Sequence, residues 1–472
     1  QHNMQAANAN RMLNVTTSAQ SKSTEKLSSG YRINRAADDA AGLTISEKMR
    51  KQIRGLDQAS TNAQDGVSSV QTAEGALTEV HSMLQRMNEL ATQAANGTNS
   101  KDSDRQAIQD EIDQLTTEID RVSETTKFNE TYLLKGEAGT KTINMKAHDA
   151  GLKGTLTDNG DGTATFVMDT LNAGDKVSIG GKQYTIGGKA ADVTAAFGAN
   201  GLNIDTNHQD VSVNGTTYKW YADTVKTKDN KVISAGYYSQ DPSTLADQAA
   251  ATATSVGGAA TTSADTLAAN APHGSTITVG SKSVTLMQDD GAKGGTANDE
   301  IDDVDSTVIS KTKAYELASK ELLAANQIGD TKGNATVTKA DGTTKLDATN
   351  GDGTFKIKVG QAEVANSLSF SLHVGADADM TNKIQVNIDA MDSASLGIKG
   401  LNVKDASGNA ATYAVDAISD AISKVSSQRS SLGAVQNRLE HTINNLDNVV
   451  ENTTTAESRI RDTDMAEEMV NY

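Results

Sequence analysis

The chain has 472 residues, a formal net charge of −18 and no cysteine. This length allows several domains, the negative charge disfavours a basic surface for nucleic acid, and the missing cysteines exclude disulfides, thiolate nucleophiles and cysteine-ligated zinc. Aromatic residues make up only 3% of the chain, which favours a long, thin molecule packed through Ala, Val, Ile and Leu, because compact cores rely heavily on large aromatic side chains.

The first segment, residues 1–27, is compatible with a helix but carries only a weak apolar stripe, formed by Met4, Ala9, Met12 and Val15. Such a stripe cannot build an independent core, so the segment is expected to become ordered mainly in contact with other chains. A charged joint, SSGYRINRAADDAAGL at residues 28–43, follows it. In this joint Gly30 and Gly42 are expected to let the backbone turn.

A long helix is predicted over residues 41–96, where apolar residues recur every seven positions at Leu56, Ala63, Val70, Leu77, Leu84 and Ala91. This spacing is typical of a coiled coil, and a continuous helix would be roughly 80 Å long. Three glycines interrupt the pattern, at positions 55, 66 and 75. Each is either a tolerated flaw, weakening the helix by up to ~1 kcal/mol, or a point of close backbone approach.

A second helix is predicted after a turn at residues 96–104, with apolar residues at Ile108, Ile112, Leu115, Ile119 and Val122. The C-terminal zone has the same character. Its heptad d positions hold Ile418, Val425, Leu432, Leu439 and Leu446, and its a positions hold Val415, Ile422, Ile443 and Val450, with Arg429 and Gln436 as polar interruptions. Since each zone exposes one apolar stripe, the two ends of the chain are expected to pack together as antiparallel helices in one domain.

The middle of the chain, about residues 140–370, is rich in Thr, Gly, Ala and Asp and predicts small β units. Three similar hairpins are expected at residues 177–186, 211–220 and 277–286. Turn-and-strand pairs follow DNGDGT at 158–163 and NGDGT at 350–354. One helix is expected over 312–327, closed by Gly329, whereas residues 243–271 form an Ala/Ser/Thr tract with weak patterning.

No pattern of catalytic residues stands out, and an enzyme is not expected. The seven histidines form no HExxH or other spaced metal pair. The acidic run at 298–306 is read as a solvated surface, with a calcium site as the minor alternative, and DNGDGT lacks the full ligand spacing of a calcium loop. No apolar run approaches the ~20 residues of a membrane helix. We therefore predict no cofactor, no metal site, no nucleic-acid partner and no membrane insertion.

Both ends of the chain resemble the ends of bacterial flagellin. KLSSGYRINRAADDAAGLTISEKMR and QDGVSSVQTAEGALTEVHSMLQRMNELATQAANGT are similar to its N-terminal part. RSSLGAVQNRLEHTINNL and ENTTTAESRIRDTDMAEEMVNY are similar to its C-terminal part, and residues 372–398 resemble the segment that leads into the C-terminal helix. The resemblance covers about residues 1–135 and 370–472 and leaves the middle without a family signature.

The resemblance implies an elongated, multi-domain protein that is mainly α-helical at both termini, with an inserted β-rich variable region. The expected units are an N-terminal inner-tube helix and joint (1–36), a helical core part (37–140), a variable outer region of two subdomains (141–369), a second helical core part (370–452) and a C-terminal inner-tube helix (453–472). In the family this last helix continues further, so residues 453–472 are expected to be an incomplete helix that gives monomers or unstable polymers.

The implied function is that of a secreted structural subunit that polymerises into the bacterial flagellar filament for motility. The implied partners are other copies of the chain, an export chaperone, hook-associated proteins and the flagellin-sensing Toll-like receptor of animal hosts. Residues implied for the receptor contact are Arg86, Leu90 and Glu111. Residues implied for contacts between subunits at the joint, through charge-assisted bonds, are Arg32, Arg35, Asp38 and Asp39.

Other interpretations stay open at this point. The joint could be a solvated linker, Leu90 could be a core residue, and Arg86 and Glu111 could pair with each other. A hook–filament junction protein shares the terminal helical pattern, and the outer region could add an adhesin role. A flagellin carrying a metalloprotease insertion is disfavoured because HExxH is missing.

Overall fold

The computed structural model describes residues 4–100, 103–291 and 296–472. Within them, helices lie at both ends and in the middle: α1 (Met4–Ser29), α2 (Ala40–Ala94), α3 (Asp104–Thr125), α4 (Ala190–Phe197), α5 (Ile204–Asn207), α6 (Gln248–Ala253), α7 (Ala264–Asn270), α8 (Lys311–Asn326), α9 (Ser393–Leu396), α10 (Asn409–Arg461) and α11 (Met465–Asn471). The predicted long helices at 41–96 and after residue 104 are thus confirmed. Of the turn predicted at 96–104, residues 101 and 102 lie outside the described residues, as do residues 1–3 of the first segment.

The strands lie between the two helical ends: β1 (Lys127–Phe128), β2 (Thr131–Tyr132), β3 (Glu137–Asn144), β4 (Gly154–Asp158), β5 (Thr163–Met168), β6 (Lys176–Ile179), β7 (Lys182–Gly188), β8 (Val211–Val213), β9 (Thr216–Tyr221), β10 (Gly236–Tyr238), β11 (Thr276–Val279), β12 (Lys282–Leu286), β13 (Val308–Ile309), β14 (Thr336–Lys339), β15 (Thr354–Lys358), β16 (Gln361–Asn366), β17 (Leu368–His373) and β18 (Lys383–Ile388). The expected fold class, helical termini around a β-rich middle, is confirmed.

The helical ends pack together because α2 and α10 run antiparallel along their length. Two polar contacts show their antiparallel register: Ser60 Oγ donates to Asp447 (3.1 Å), and Arg429 Nη2 lies 2.6 Å from Glu74 Oε1. An apolar seam runs along the two helices on both sides of the Arg429–Glu74 contact. Its fully buried members are Val70, Leu77, Leu84, Met87, Ile418, Val425 and Leu432. The predicted d positions of α10 are all buried, whereas its a positions are only partly buried, and Arg429 occupies one of them by pairing with α2.

Helix α3 folds back on α2, and a buried arginine closes the turn between them. Arg105 is only 1% exposed. Its guanidinium donates to the backbone carbonyls of Ala94 (2.8 Å), Asn96 (3.2 Å), Asp405 (2.8 Å) and Ala406 (3.2 Å). Two of these carbonyls lie at the C-terminal end of α2, where the helix dipole favours a cation. Arg105 therefore joins α2 and α3 to the loop before α10.

The glycines of α2 differ from one another in their surroundings. The hairpin of β17 and β18 lies across α2, and a Cβ on Gly66 would come within 2.2 Å of Leu372 Cδ1. A Cβ on Gly55 would lie 3.1 Å from that of Ala376, whereas one on Gly75 would meet nothing within 4 Å. Close approach therefore explains Gly66 and Gly55, and Gly75 is a tolerated flaw.

The middle of the chain contains two main hydrophobic clusters. One joins β4, β5, β14 and β15 with α8 and includes Tyr413 of α10, and the other is built on β8, β11 and β12 with α4 and α7. The three predicted hairpins are confirmed as the antiparallel pairs β6–β7, β8–β9 and β11–β12. The predicted helix at 312–327 is observed as α8, and Gly329 beyond it has φ +75°.

The tract at 243–271, whose sequence patterning is weak, contains two short α-helices. Helix α6 begins at Asp247, whose side chain accepts from Ala250 N, and α7 begins at Ser263, which accepts from Thr266 N. Ala251 of α6 and Ala264, Leu267 and Ala268 of α7 are buried. The capping residues, rather than an apolar period, were the available signal.

Elements of the structure cross three of the expected domain boundaries, since β3 spans 140/141, β17 spans 369/370 and α10 spans 452/453. Strand β3 passes through residue 140 and pairs with β16, so a two-stranded ribbon connects the helical ends to the middle. Helix α10 continues without a break to Arg461, so the chain leaves it at 462–464 and not near 453. Residues 370–452 also begin with the β17–β18 hairpin, not with helix.

Candidate functional site

The joint after α1 brings the two ends of the chain together. Tyr31 and Asp462 form an isolated antiparallel bridge, and Arg32 N donates to Arg461 O at 2.7 Å. Gly30 turns the backbone here, since its φ of +76° is a conformation that favours glycine. The joint therefore lies against the break between α10 and α11.

The acidic residues of the joint hold its own backbone. Asp38 Oδ2 accepts from the amides of Arg35 (2.9 Å) and Asn34 (3.1 Å), and these bonds hold the pKa of the Asp38 carboxyl below its usual value. Asp39 is the N-cap of α2 and accepts from Gly42 N at 2.8 Å. Both carboxylates thus have intrachain roles that the sequence reading did not assign.

The prediction that Gly42 lets the backbone turn is wrong. Gly42 is a buried residue in the first turn of α2. A Cβ at this position would lie 2.4 Å from Asp39 Oδ2 and 2.8 Å from Ile33 Cδ1. Glycine is required because the N-cap and the buried Ile33 approach the helix closely.

The arginines of the joint also have partners in the chain. Arg32 Nη2 donates to the carbonyl of Ile460 at 2.6 Å, and Arg35 Nε lies 3.0 Å from Glu25 Oε1. The Arg35 side chain nevertheless remains 73% exposed. Arg32 is exposed as well, so both guanidiniums remain accessible at the surface.

Arg461 is a central residue of the joint that the sequence reading missed. Its guanidinium lies 4.9 Å from the centre of the Tyr31 ring, and its Nη1 is 3.1 Å from Glu47 and 4.0 Å from Glu457. Glu457 in turn accepts from Ser46 Oγ at 2.9 Å. The signal in the sequence was an arginine in the last turn of a long helix, a position where basic residues are favoured.

Helix α1 presents its apolar side chains to solvent in the single chain. Among its described residues none is buried, and Met4 (79%), Met12 (63%), Leu13 (66%) and Val15 (60%) are strongly exposed. Near its C-terminal end α1 meets α11, where Ser23 Oγ donates to Glu468 at 2.7 Å. These exposed side chains form an unpartnered apolar surface.

A second surface lies where α2 and α3 run side by side. Arg86 Nε is 2.8 Å from Glu111 Oε1, and Arg86 Nη1 is 3.2 Å from Glu89. The bonds to Glu111 and Glu89 raise the pKa of the Arg86 guanidinium. The side chains of Arg86 and Glu111 are 50% and 45% exposed, but Leu90 is only 2% exposed and belongs to the core. The expectation of an exposed apolar anchor at Leu90 is therefore corrected, because this side chain faces the seam between the helices.

Comparison with known proteins identifies the family. Residues 1–139 match the bacterial flagellin N-terminal helical region, and residues 415–472 match the bacterial flagellin C-terminal helical region. A flagellin of Clostridium tyrobutyricum is 36% identical over 476 residues, covering 100% of this chain and 93% of that protein. The chain belongs to the bacterial flagellin family. Flagellin C of Vibrio anguillarum is 32% identical, with 99% of this chain and 89% of that protein covered, and a flagellin of Halalkalibacterium halodurans is 56% identical over 151 residues, with 32% and 55% covered.

As a flagellin, the chain is a structural subunit of the flagellar filament and not an enzyme. Flagellins are exported from the cell and polymerise with copies of themselves. The joint and the exposed face of α1 both lie within the two flagellin regions that the comparisons match.

In residues 4–100, 103–291 and 296–472, no group of three or more His, Asp or Glu side chains could hold a metal ion. Within the acidic run, Asp302 accepts from the amides of Gln288, Val304 and Asp305, which gives it a role in forming turns. Over the same ranges no helix is long and apolar enough for a bilayer crossing.

Proposed function

We propose that the exposed apolar side chains of α1 form the main contact through which copies of this chain polymerise. The observation that carries this proposal is that a 26-residue helix has no buried side chain in the single chain while four large apolar residues are strongly exposed. Burial of such residues is favourable by ~1.5–3 kcal/mol each. Contacts with other copies provide that burial in a filament.

The test replaces apolar residues on one face of α1 with a charge. Met12 and Val15 lie three positions apart and share a face of the helix, whereas Asn14 lies on a side that carries neither of them nor Leu13. We expect Met12→Asp and Val15→Asp to abolish or strongly reduce salt-induced polymerisation relative to the unsubstituted chain, measured by sedimentation and electron microscopy, and Asn14→Asp to retain it. Normal filaments from both apolar variants would refute the proposal.

We also propose that the joint contributes contacts between subunits through Arg32, Arg35, Asp38 and Asp39. Support comes from the exposure of all four residues and from the bonds that already fix their positions, which reduce the entropy lost on binding. Arg35 is the most informative position because its side chain is 73% exposed. Arg35→Ala is expected to lower filament yield without changing the melting temperature of the monomer. An unchanged filament yield would remove Arg35 from the interface.

A division of roles among the expected units of the chain follows from this proposal. We propose that residues 1–36 and 453–472 serve assembly, that 37–140 and 370–452 form the supporting core, and that 141–369 faces outward. Family membership further supports an export chaperone and hook-associated proteins as partners. The test is co-purification with the export chaperone. If the chaperone binds the wild-type chain but not a chain lacking residues 453–472, its contact lies in the C-terminal segment.

A second role, recognition by the flagellin-sensing Toll-like receptor of animals, is favoured by the exposed Arg86–Glu111 pair. The pair is fixed across two helices at 2.8 Å and offers both an arginine and a carboxylate to a partner. Leu90 is buried beneath this pair in the core of the helical ends, so in this proposal it positions α2 and does not contact the receptor. The Arg121–Glu118 pair on α3 is a suitable control because it is also exposed.

Surface plasmon resonance with the receptor ectodomain tests this role. Arg86→Ala and Glu111→Ala are each expected to weaken binding, while Arg121→Ala leaves it unchanged. Loss of either partner removes a charge-assisted contact that is worth roughly 1.5–3 kcal/mol when it is desolvated at an interface. Equal affinities for all four proteins would mean that the receptor does not use this pair.

A further inference from the structure

Two cavities lie side by side where the ribbon of β3 and β16 meets α10. Their volumes are about 500 and 560 Å³. Residues lining both of them are Leu396, Lys424 and Ser427. Lys424 therefore stands between the two cavities, at the base of a groove that is separate from the joint and from the Arg86–Glu111 surface.

Lys424 differs from the other lysines that line this groove. Its Nζ donates to the backbone carbonyl of Ser395 at 2.8 Å. Lys141, in contrast, lies 3.5 Å from Asp389, and Lys146 lies 3.1 Å from Asp420. Among the described residues no carboxylate forms an ion pair with Lys424, so its ammonium lacks the partner that its neighbours have.

The charges around Lys424 oppose one another. Burial lowers the pKa of the Lys424 amine, and the positive charge of Lys141 acts in the same direction, while Asp389 and Asp420 act against it. Asp420 is itself engaged by Lys146 and by His148, whose Nε2 is 3.2 Å away. The Lys424 side chain as a whole still reaches solvent, because the groove is open, so a small reagent can approach the amine.

We propose that Lys424 is a preferred site of Nε-acylation by small activated acyl donors such as acyl phosphates. The lone pair of the neutral amine attacks the carbonyl carbon, a C–N bond forms, and the C–O bond to phosphate breaks. Phosphate leaves with the electron pair, and the nitrogen releases one proton to water. Neutral amines are the nucleophilic form of lysine, so a groove that disfavours the charged form promotes the first step.

The groove also fits the product. The amide formed keeps one N–H, which can still donate to the Ser395 carbonyl, and the acyl group can enter either cavity. The modified side chain carries no charge, so the desolvation of the hydrogen-bonded amide costs less free energy than that of the ammonium. Acylation at Lys424 is therefore expected to leave the fold intact, with α10 unchanged.

The experiment compares acylation rates of three lysines in one native protein. The full chain is incubated with acetyl phosphate at about pH 8, and the acetylated fraction of each lysine is followed by peptide mass spectrometry. Lys424 is expected to react at least about twofold faster than Lys141 or Lys146, because its amine has no carboxylate partner and burial favours its neutral form. Lys146 is a stringent control because its side chain is 72% exposed, so exposure alone would make it react faster.

A second arm repeats the reaction in concentrated urea, where the groove is absent. The advantage of Lys424 is expected to disappear there, since all three amines then have similar surroundings. The proposal is overturned if Lys424 reacts no faster than Lys146 in the native protein. It is overturned equally if the advantage persists in urea, because the local sequence and not the groove would then be the cause.

Discussion

At the scale of single residues, the most demanding position is Arg105, a buried cation whose guanidinium is held by four backbone carbonyl oxygens. Lysine at this position keeps the charge but cannot reproduce four planar donor contacts to separate carbonyls. Arg105→Lys is expected to lower the free energy of unfolding by about 2–4 kcal/mol. Arg121→Lys, at an exposed pair, is expected to change it by less than about 0.5 kcal/mol. Urea denaturation followed by circular dichroism measures both, and equal stabilities would show that the guanidinium geometry is unimportant.

The glycines of α2 give a second test at this scale. Gly75→Ala is expected to stabilise the helix by up to ~1 kcal/mol, because alanine has the higher helix propensity and nothing lies within 4 Å of its methyl group. Gly66→Ala gains the same propensity but forces Leu372 away, so we expect it to be about 1–3 kcal/mol less stable than Gly75→Ala. Thermal melts of the two variants measure this difference in stability. A Gly66→Ala protein as stable as Gly75→Ala would mean that the hairpin adjusts freely.

The candidate site could be predicted only in part, and the reason is visible in particular residues. The charged joint was identified from its composition, but the sequence could not show that Asp39 caps α2 or that Arg461 reaches Tyr31 from 430 positions away. Leu90 follows Met87 at helical spacing, and its burial depends on where the partner helix α10 lies. Contacts between distant segments decide these outcomes, and no local pattern encodes them.

At the scale of elements, the middle of the chain contains most of the buried phenols. Burial raises the pKa of Tyr237 to about 12, above the ordinary value of about 10. The folded state thus prefers the neutral phenol. The stability that comes from this preference is fully present below about pH 10 and is lost as the pH rises from 10 to 12. Tyr238 and Tyr315 are shifted in the same direction by burial.

We therefore expect the outer region to lose structure in alkali before the helical ends do. Trp220 is the only tryptophan and stacks on His208, with its ring centre 5.3 Å from that of Tyr237. Its fluorescence should change between about pH 10 and 12, ahead of the helical circular dichroism signal. Tyr237→Phe should move this change to higher pH. Simultaneous loss of both signals in the two proteins would contradict an independent alkaline transition.

The long helices were predictable because a seven-residue repeat is a strong and redundant signal over fifty positions. The hairpins were predictable from glycine-containing turns between alternating residues, such as Asn214–Gly215, where φ is +49° and +83°. Helices α6 and α7 were not, because alanine and threonine give little contrast between faces. The order of strands in the sheet could not be predicted either. Strand β7 pairs in parallel with both β12 and β13, which lie far away in the sequence, and no local pattern indicates such pairs.

At the scale of the whole molecule, the two-stranded ribbon of β3 and β16 connects the helical ends to the middle. Asn144 and Gln361 pair at the outer end of the β3–β16 ribbon, and Met145 N donates to Gly360 O at 2.8 Å. Among the described residues between positions 145 and 360, Ile328 is the one that packs against the hydrophobic cluster of the helical ends. In the other direction, Tyr413 of α10 packs in the hydrophobic cluster of the outer region. Few apolar contacts therefore connect the two parts.

This arrangement predicts that residues 146–359 can be replaced by an Asn-Gly turn between Met145 and Gly360. Tyr413→Gln should accompany the deletion, because removal of α8 uncovers this side chain. The shortened chain is expected to remain strongly helical and to melt cooperatively, since the α2–α3–α10 seam keeps nearly all its buried residues. It should also still polymerise if α1 carries the contact between subunits. Circular dichroism tests the fold and sedimentation tests assembly. A coil spectrum would show that the outer region is needed for folding of the helical ends, whereas a folded protein that stays monomeric would place part of the filament contact in the outer region.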